Sequence, residues 1–146
     1  MKRIFEIKGK SLARKLAVVL LGSALFAPVA YAIDDETVQR VGGVSYVSGG
    51  VGDASIDTLT ALAHDFNLKL VFALKSGAYL SGVQVNIADA AGRNLLDTTS
   101  EGPWLMTRLP AGKYQVVATF ADHAEKRTVA VGAEKLKTVD FRWASE

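Results

Sequence analysis

From Asn67 to Trp143 apolar residues return at every second position, and the alternation breaks at short intervals on turn-forming residues. A two-residue period puts successive side chains on opposite faces of a strand, so this stretch reads as sheet rather than helix. Leu68, Leu70 and Phe72 alternate with Lys69, Val71 and Ala73, and Val83, Val85 and Ile87 alternate with Gln84, Asn86 and Ala88. Ala90-Ala91-Gly92-Arg93 then supplies a turn into Asn94 to Thr98, which makes a hairpin. Trp104 to Arg108 is a further short strand, and Leu109 to Lys113 turns the chain into Tyr114, Val116, Ala118 and Phe120. A polar turn over Asp122 to Glu125 leads to Arg127 to Val131, and another over Gly132 to Lys135 leads to Leu136 to Trp143. The predicted fold is mainly β, a single antiparallel β-sandwich of about seven strands spanning 67–143.

Ahead of the sheet the period is different. Ile56, Leu59, Leu62, Ala63 and Phe66 recur at helical spacing, which predicts one short amphipathic helix over 53–66. Asp53 is the expected N-cap, with Ser55 as the alternative. Residues 33–52 form a polar and Gly-rich N-terminal segment: 33–40 is a loosely held terminus, Val41 to Tyr46 a short strand, and Ser48-Gly49-Gly50-Val51-Gly52 a flexible loop.

Residues 1–32 have the three parts of a secretory signal peptide: a basic stretch to Lys15, the apolar run Leu16 to Phe26, and a small-residue site at Ala30-Tyr31-Ala32. Cleavage after Ala32 is expected, because the apolar run is about half the ~20 residues that cross a bilayer. The product is then periplasmic or secreted, with no membrane span once the leader is removed. This leader holds six of the 17 basic residues and one of the 15 acidic ones, so residues 33–146 carry a net −3. The overall basic balance therefore belongs to the leader, and it gives no footprint for nucleic acid. There is no cysteine, which excludes a disulfide framework, a thiolate metal site and a cysteine nucleophile.

The stretch from Gly82 to Phe120, with GVQVNIADAAGR in its first hairpin and TTSEGPWLMTRLPAGKYQVVATF after it, and the closing LKTVDFRW together resemble the carboxypeptidase regulatory-like domain, a transthyretin-like β-sandwich. The element that carries most of the likeness is Leu109-Pro110-Ala111-Gly112-Lys113-Tyr114, since these domains turn between two core strands on L-P-x-G-x-Y. Proline fixes one turn dihedral, glycine accepts a positive one, and leucine and tyrosine re-enter the core on either side. Over 41–143 the chain also resembles small bacterial exported proteins that join a glycine-rich segment and a short helix to such a sandwich. The resemblance implies a fold more than an activity. The 5-hydroxyisourate hydrolases of the transthyretin fold carry a terminal Tyr-Arg-Gly-Ser, whereas this chain has Phe141-Arg142-Trp143-Ala144, so that activity is not expected.

No constellation of residues announces chemistry. The glycine loop lacks the Lys and Ser/Thr of a phosphate loop, and Asp53 would set a carboxylate where the anion should sit. His64 and His123 are the two histidines, and they form no ligand pattern and no partner for a serine nucleophile. A Lys69–Asp140 cross-link promoted by Glu101 is disfavoured because the alternation turns Lys69 and Asp140 away from the inner face. Tyr46, Tyr79, Trp104 and Trp143 remain as candidates for a ligand or partner surface. The sequence thus points to a non-catalytic exported binding or accessory module without cofactor or metal, its partner an envelope protein or a glycan. Alternatives are a structural component of an envelope assembly recruited through a sheet edge, and a carbohydrate-binding sandwich.

Overall fold

A computed structural model describes residues 38–145, so the expected leader, its cleavage site and positions 33–37 lie outside the described residues. Among the described residues nine strands form two sheets. In chain order these are β1 (Gln39–Val41), β2 (Val44–Gly49), helix α1 (Asp53–Leu62), a 3-10 turn at Ala63–Asp65, β3 (Leu68–Leu74), β4 (Gln84–Asp89), β5 (Asn94–Thr99), β6 (Trp104–Arg108), β7 (Gly112–Phe120), β8 (His123–Val131) and β9 (Lys137–Trp143). One sheet has the order β1-β2-β6-β3-β9 and the other β5-β4-β7-β8.

The period-two stretches form strands for the reason expected of them, since each buries one face against the opposite sheet. Leu68, Leu70, Phe72, Leu105, Phe141 and Trp143 of the first sheet meet Val85, Ile87, Leu96, Val116, Ala118 and Val129 of the second in one core cluster. The mainly β sandwich read from the sequence is the observed architecture; β3 to β9 supply the seven strands expected, and β1 and β2 add two more to the first sheet. All strand pairs are antiparallel except one. β3 and β9, the first and last of the seven, run parallel from Leu68↔Lys137 to Leu74↔Trp143.

The N-terminal segment departs from expectation. Instead of a loose terminus and one strand over 41–46, the chain makes a hairpin, Gln39 pairing with Tyr46 and Val41 with Val44. Gly42 and Gly43 take φ of 54° and 90°, the two positive values that a tight hairpin turn requires and that glycine adopts without strain. β2 then pairs with β6 through Gly49, so Ser48 and Gly49 are strand residues rather than loop. The helix is shorter than the expected 53–66. It ends at Leu62, and the following turn tightens to 3-10. Asp53 does not cap it either: Gly52 is the N-cap, and Asp53 already lies in the first helical turn, where its charge complements the helix dipole. Ser55 accepts a hydrogen bond from Gly50 N–H at 2.7 Å instead, holding the loop to the helix.

A second reversal is tighter than expected. The chain turns on Ala121 and Asp122, both with positive φ, so β8 begins at His123 and not at Arg127. Among the described residues no helix is long and apolar enough to cross a membrane.

Candidate functional site

The outer face of the five-stranded sheet is where surface is left over. One row across it reads Gly49, Trp104, Val71 and Asp140, and the next reads Val47, Met106, Lys69 and Thr138. Helix α1 covers the β2-β6 end, packing Leu59 with Val47, Met106 and Phe66 in a small second cluster that Trp104 and Leu62 border. Beyond the top of β2 the chain leaves the sheet through Gly50-Val51-Gly52 and enters the helix, and a concavity opens beside that exit.

Its walls are positioned by close backbone approaches. Gly102 crosses the end of β2 so tightly that a Cβ there would stand 2.3 Å from the Gly49 carbonyl oxygen, so no other residue fits without moving backbone. Ser48 fixes the crossing by donating its hydroxyl to Trp104 O at 2.8 Å and accepting Glu101 N–H at 2.8 Å. Opposite, residues 78–80 lie along β3: Leu74 N–H donates to Ala78 O at 2.7 Å and Leu80 N–H donates to Phe72 O at 3.1 Å. Between these walls lies a groove of about 380 Å³, lined among others by Val51, Asp53, Ile56, Tyr79, Leu80 and Pro103. Val51 is 68% exposed and Tyr79 67%, the highest values among the large apolar side chains of the described residues. The volume lies within the roughly 300–1,000 Å³ of ordinary ligand sites, and the lining is predominantly apolar.

The four aromatic candidates do not converge on this groove. Tyr46 and Trp143 are 7% and 3% exposed and belong to the sandwich core, and Trp143 meets the surface only where it borders a separate hollow. Tyr46 lies on the inner face; its hydroxyl donates to Gln39 Oε1 and shares a hydrogen bond with Thr98 Oγ1, each at 3.1 Å. Trp143 packs with Phe72, Phe120 and Phe141 and donates its indole N–H to His123 O at 2.9 Å. Core placement satisfies both the large apolar area and the polar tip of these side chains. Trp104 is half-buried, and the Lys69 ammonium stands 3.3 Å from its ring centroid. Tyr79 alone of the four lines the groove.

Lys69 and Asp140 are both on the outer face, as the alternation requires. Partial burial lowers the Lys69 pKa below its ordinary value, and the charge of Asp140 opposes that shift. Glu101 is exposed. His64 sits in the 3-10 turn beside Asp65 at 3.3 Å, His123 at the start of β8, and no cluster of metal-ligating side chains occurs among the described residues. A second hollow of about 220 Å³, with polar and apolar surface in similar measure, lies between Lys75, His123, Glu125 and Arg142.

Two residues hold the Leu109–Tyr114 turn: Asn67, which the sequence reading did not single out, and Tyr114, the tyrosine of the L-P-x-G-x-Y element. Asn67 is fully buried, donates its side-chain amide to Leu109 O at 2.7 Å and Gly132 O at 2.9 Å, and accepts Leu109 N–H at 2.9 Å. It ties the entry of β3 to the turns before β7 and β9. Tyr114 donates its hydroxyl back to Pro110 O at 2.5 Å, a tyrosine-corner closure of the kind sandwich domains use. Burial raises the Tyr114 pKa, with the Asp89 charge adding to it. The signal for the tyrosine was its spacing of four from Pro110; for Asn67 there was none, since an asparagine between two patterns reads as a loop residue.

Neither a scan against protein-family models nor a search of curated proteins finds a match to this chain.

Proposed function

We propose that this chain is a non-catalytic binding or accessory module of an exported type, periplasmic or secreted, whose carboxypeptidase regulatory-like sandwich is a scaffold and whose contact surface is the groove between Gly50 and Pro103. The observation that carries the reading is the pairing of an apolar concavity with Val51 and Tyr79 on its rim, the two most exposed large apolar side chains among the described residues. Solvent exposure of such residues around one hollow marks contact sites far more often than isolated exposure does. The sandwich assignment to that family is supported by the Leu109–Tyr114 turn, where Tyr114 closes back on Pro110 O, although Gly112 opens β7 without the positive φ expected of it. The non-catalytic assignment is supported by the composition of the groove, which offers one carboxylate at Asp53 and a serine at Ser81 but neither histidine nor cysteine beside them.

A photo-crosslinking side chain introduced at Val51 of the full chain, expressed in its own cell, tests this. A discrete adduct at Val51, with none from the same group at Thr128 on the outer face of the other sheet, is the expected result. Equal labelling at both sites, or no adduct at Val51, overturns the groove as the contact surface.

A further inference from the structure

We propose that the groove receives an extended peptide segment of a partner protein as an added strand along Tyr79–Ser81, with one apolar side chain seated among Val51, Ile56, Leu80 and Pro103 and a cationic group toward Asp53. This rests on the groove being the contact surface. It goes further in naming the occupant and the backbone that recognises it.

The register supplies the first argument. Residues 78–80 bridge to β3 with Ala73 opposite Tyr79. Ala78 O and Leu80 N–H are the groups that bond to β3, so the amide and carbonyl of Tyr79 between them point to the opposite side. In the sheet order this segment continues the column of β6, because Phe72 N–H has already turned to Pro103 O where β6 begins. The next column is that of β2. Its chain leaves at Gly50-Val51-Gly52 to enter the helix, and the groove is the place in that column which the chain vacates. An extended segment lying there faces a donor and an acceptor already spaced for pairing.

The second argument is the contrast with the other edges. At β8, Glu125 and Arg127 lie opposite Ala118 and Val116, on the inner face of an edge strand, and Arg127 reaches over Phe141 at 5.3 Å. Inward charges of this kind block pairing with another chain. β9 carries Lys137, Asp140 and Arg142, β5 carries Asp97 and a register shift against Ile87 and Ala88 of β4, and β1 is three residues long. Ala78-Tyr79-Leu80-Ser81 has no charge, no proline and no bulge. The charge beside it is across the groove, at Asp53, and it is negative; that sign selects a lysine, arginine or terminal amine on the occupant.

The test uses the full chain without its leader and a fluorescent heptapeptide of alternating valine and threonine with one central lysine, acetylated and amidated. Methylating its backbone nitrogens one at a time is expected to weaken binding by about fivefold at the one position whose amide donates to Tyr79 O, and little at its neighbours. Replacing the lysine by glutamate is expected to weaken binding about threefold at low salt, and Asp53→Asn to erase that difference. A methylation scan in which no single position stands out, or no binding of any peptide in the series, overturns strand addition. The crosslink at Val51 is read independently, so a groove that binds by apolar burial alone and a groove that binds nothing give different results.

Discussion

The two faces of the five-stranded sheet are covered in different ways. Its inner face meets a second sheet of the same chain along β2, β6, β3 and β9, and the residues that meet there form one apolar core cluster. Its outer face meets a ten-residue helix that reaches only the β2-β6 end, leaving Lys69, Val71 and Asp140 on the other strands and the groove at the helix N-terminus. A sheet packed on both sides has nothing left to bind with. Half coverage keeps a stable scaffold and an open surface in one small domain.

If the inner face carries the stability, Phe72→Ala is the most damaging single change. Phe72 is fully buried and touches the rings of Phe141 and Trp143, so the loss is expected to be about 3–5 kcal/mol by chemical denaturation. Asn67→Ala comes next at about 3 kcal/mol, because it leaves Leu109 N–H, Leu109 O and Gly132 O without their side-chain partner in a buried place. Leu59→Ala, in the outer cluster, is expected to cost about 2 kcal/mol, at the low end for a buried leucine, since a short helix can shift to close the cavity. The two tryptophans separate these effects. With Trp143→Phe the remaining indole, Trp104, reports the helix side and loosens at lower denaturant in the Leu59→Ala background; with Trp104→Phe, Trp143 reports the sandwich and does not. Coincident transitions from both would merge the two clusters into one cooperative core.

The same contrast explains what was legible in the sequence. The inner face writes itself as strict alternation, so Leu68-Leu70-Phe72, Val85-Ile87 and Tyr114-Val116-Ala118 were readable as strands with their faces assigned. β8 was readable only from Arg127, because Glu125 and Arg127 occupy inner-face positions at an edge and break the pattern that identifies a strand. The β1–β2 hairpin was hidden for a related reason: β1 is exposed at every position and carries no apolar period at all. At the site, exposure of Tyr79 was readable as a candidate surface, but burial of Tyr46 and Trp143 was not, since an aromatic side chain with a polar tip serves in either setting and its neighbours across the sheet decide. The groove itself depends on Gly102 passing over Gly49, a contact between positions far apart in the chain that no local pattern encodes.

A smaller effect sharpens the turn shared by both sheets. Tyr114→Phe keeps the ring in the core and removes only the bond to Pro110 O, so about 1 kcal/mol is expected. A loss as large as that of Asn67→Ala would mean that the tyrosine corner and the asparagine hold one cooperative unit; additivity in the double variant distinguishes the cases.

The smallest effect belongs to the open part of the outer face. Lys69 is held against Trp104 with its pKa below the ordinary 10.5, by burial first, while Asp140 pulls the other way. The unfolded chain keeps the ordinary value, so between the two values it binds more protons than the folded chain, and this lysine makes stability rise with pH across that alkaline window. Tyr114 contributes the opposite slope, since its raised pKa keeps the folded chain protonated where the unfolded chain has begun to ionise. The difference between the parent and Lys69→Met isolates the lysine: stability measured against pH is expected to lose the rising component in the variant, whereas Asp140→Asn, which removes the opposing charge, extends the window to lower pH. An unchanged slope in Lys69→Met would place the ammonium in water, and the outer face beyond the helix would then be more open than the contact with Trp104 implies.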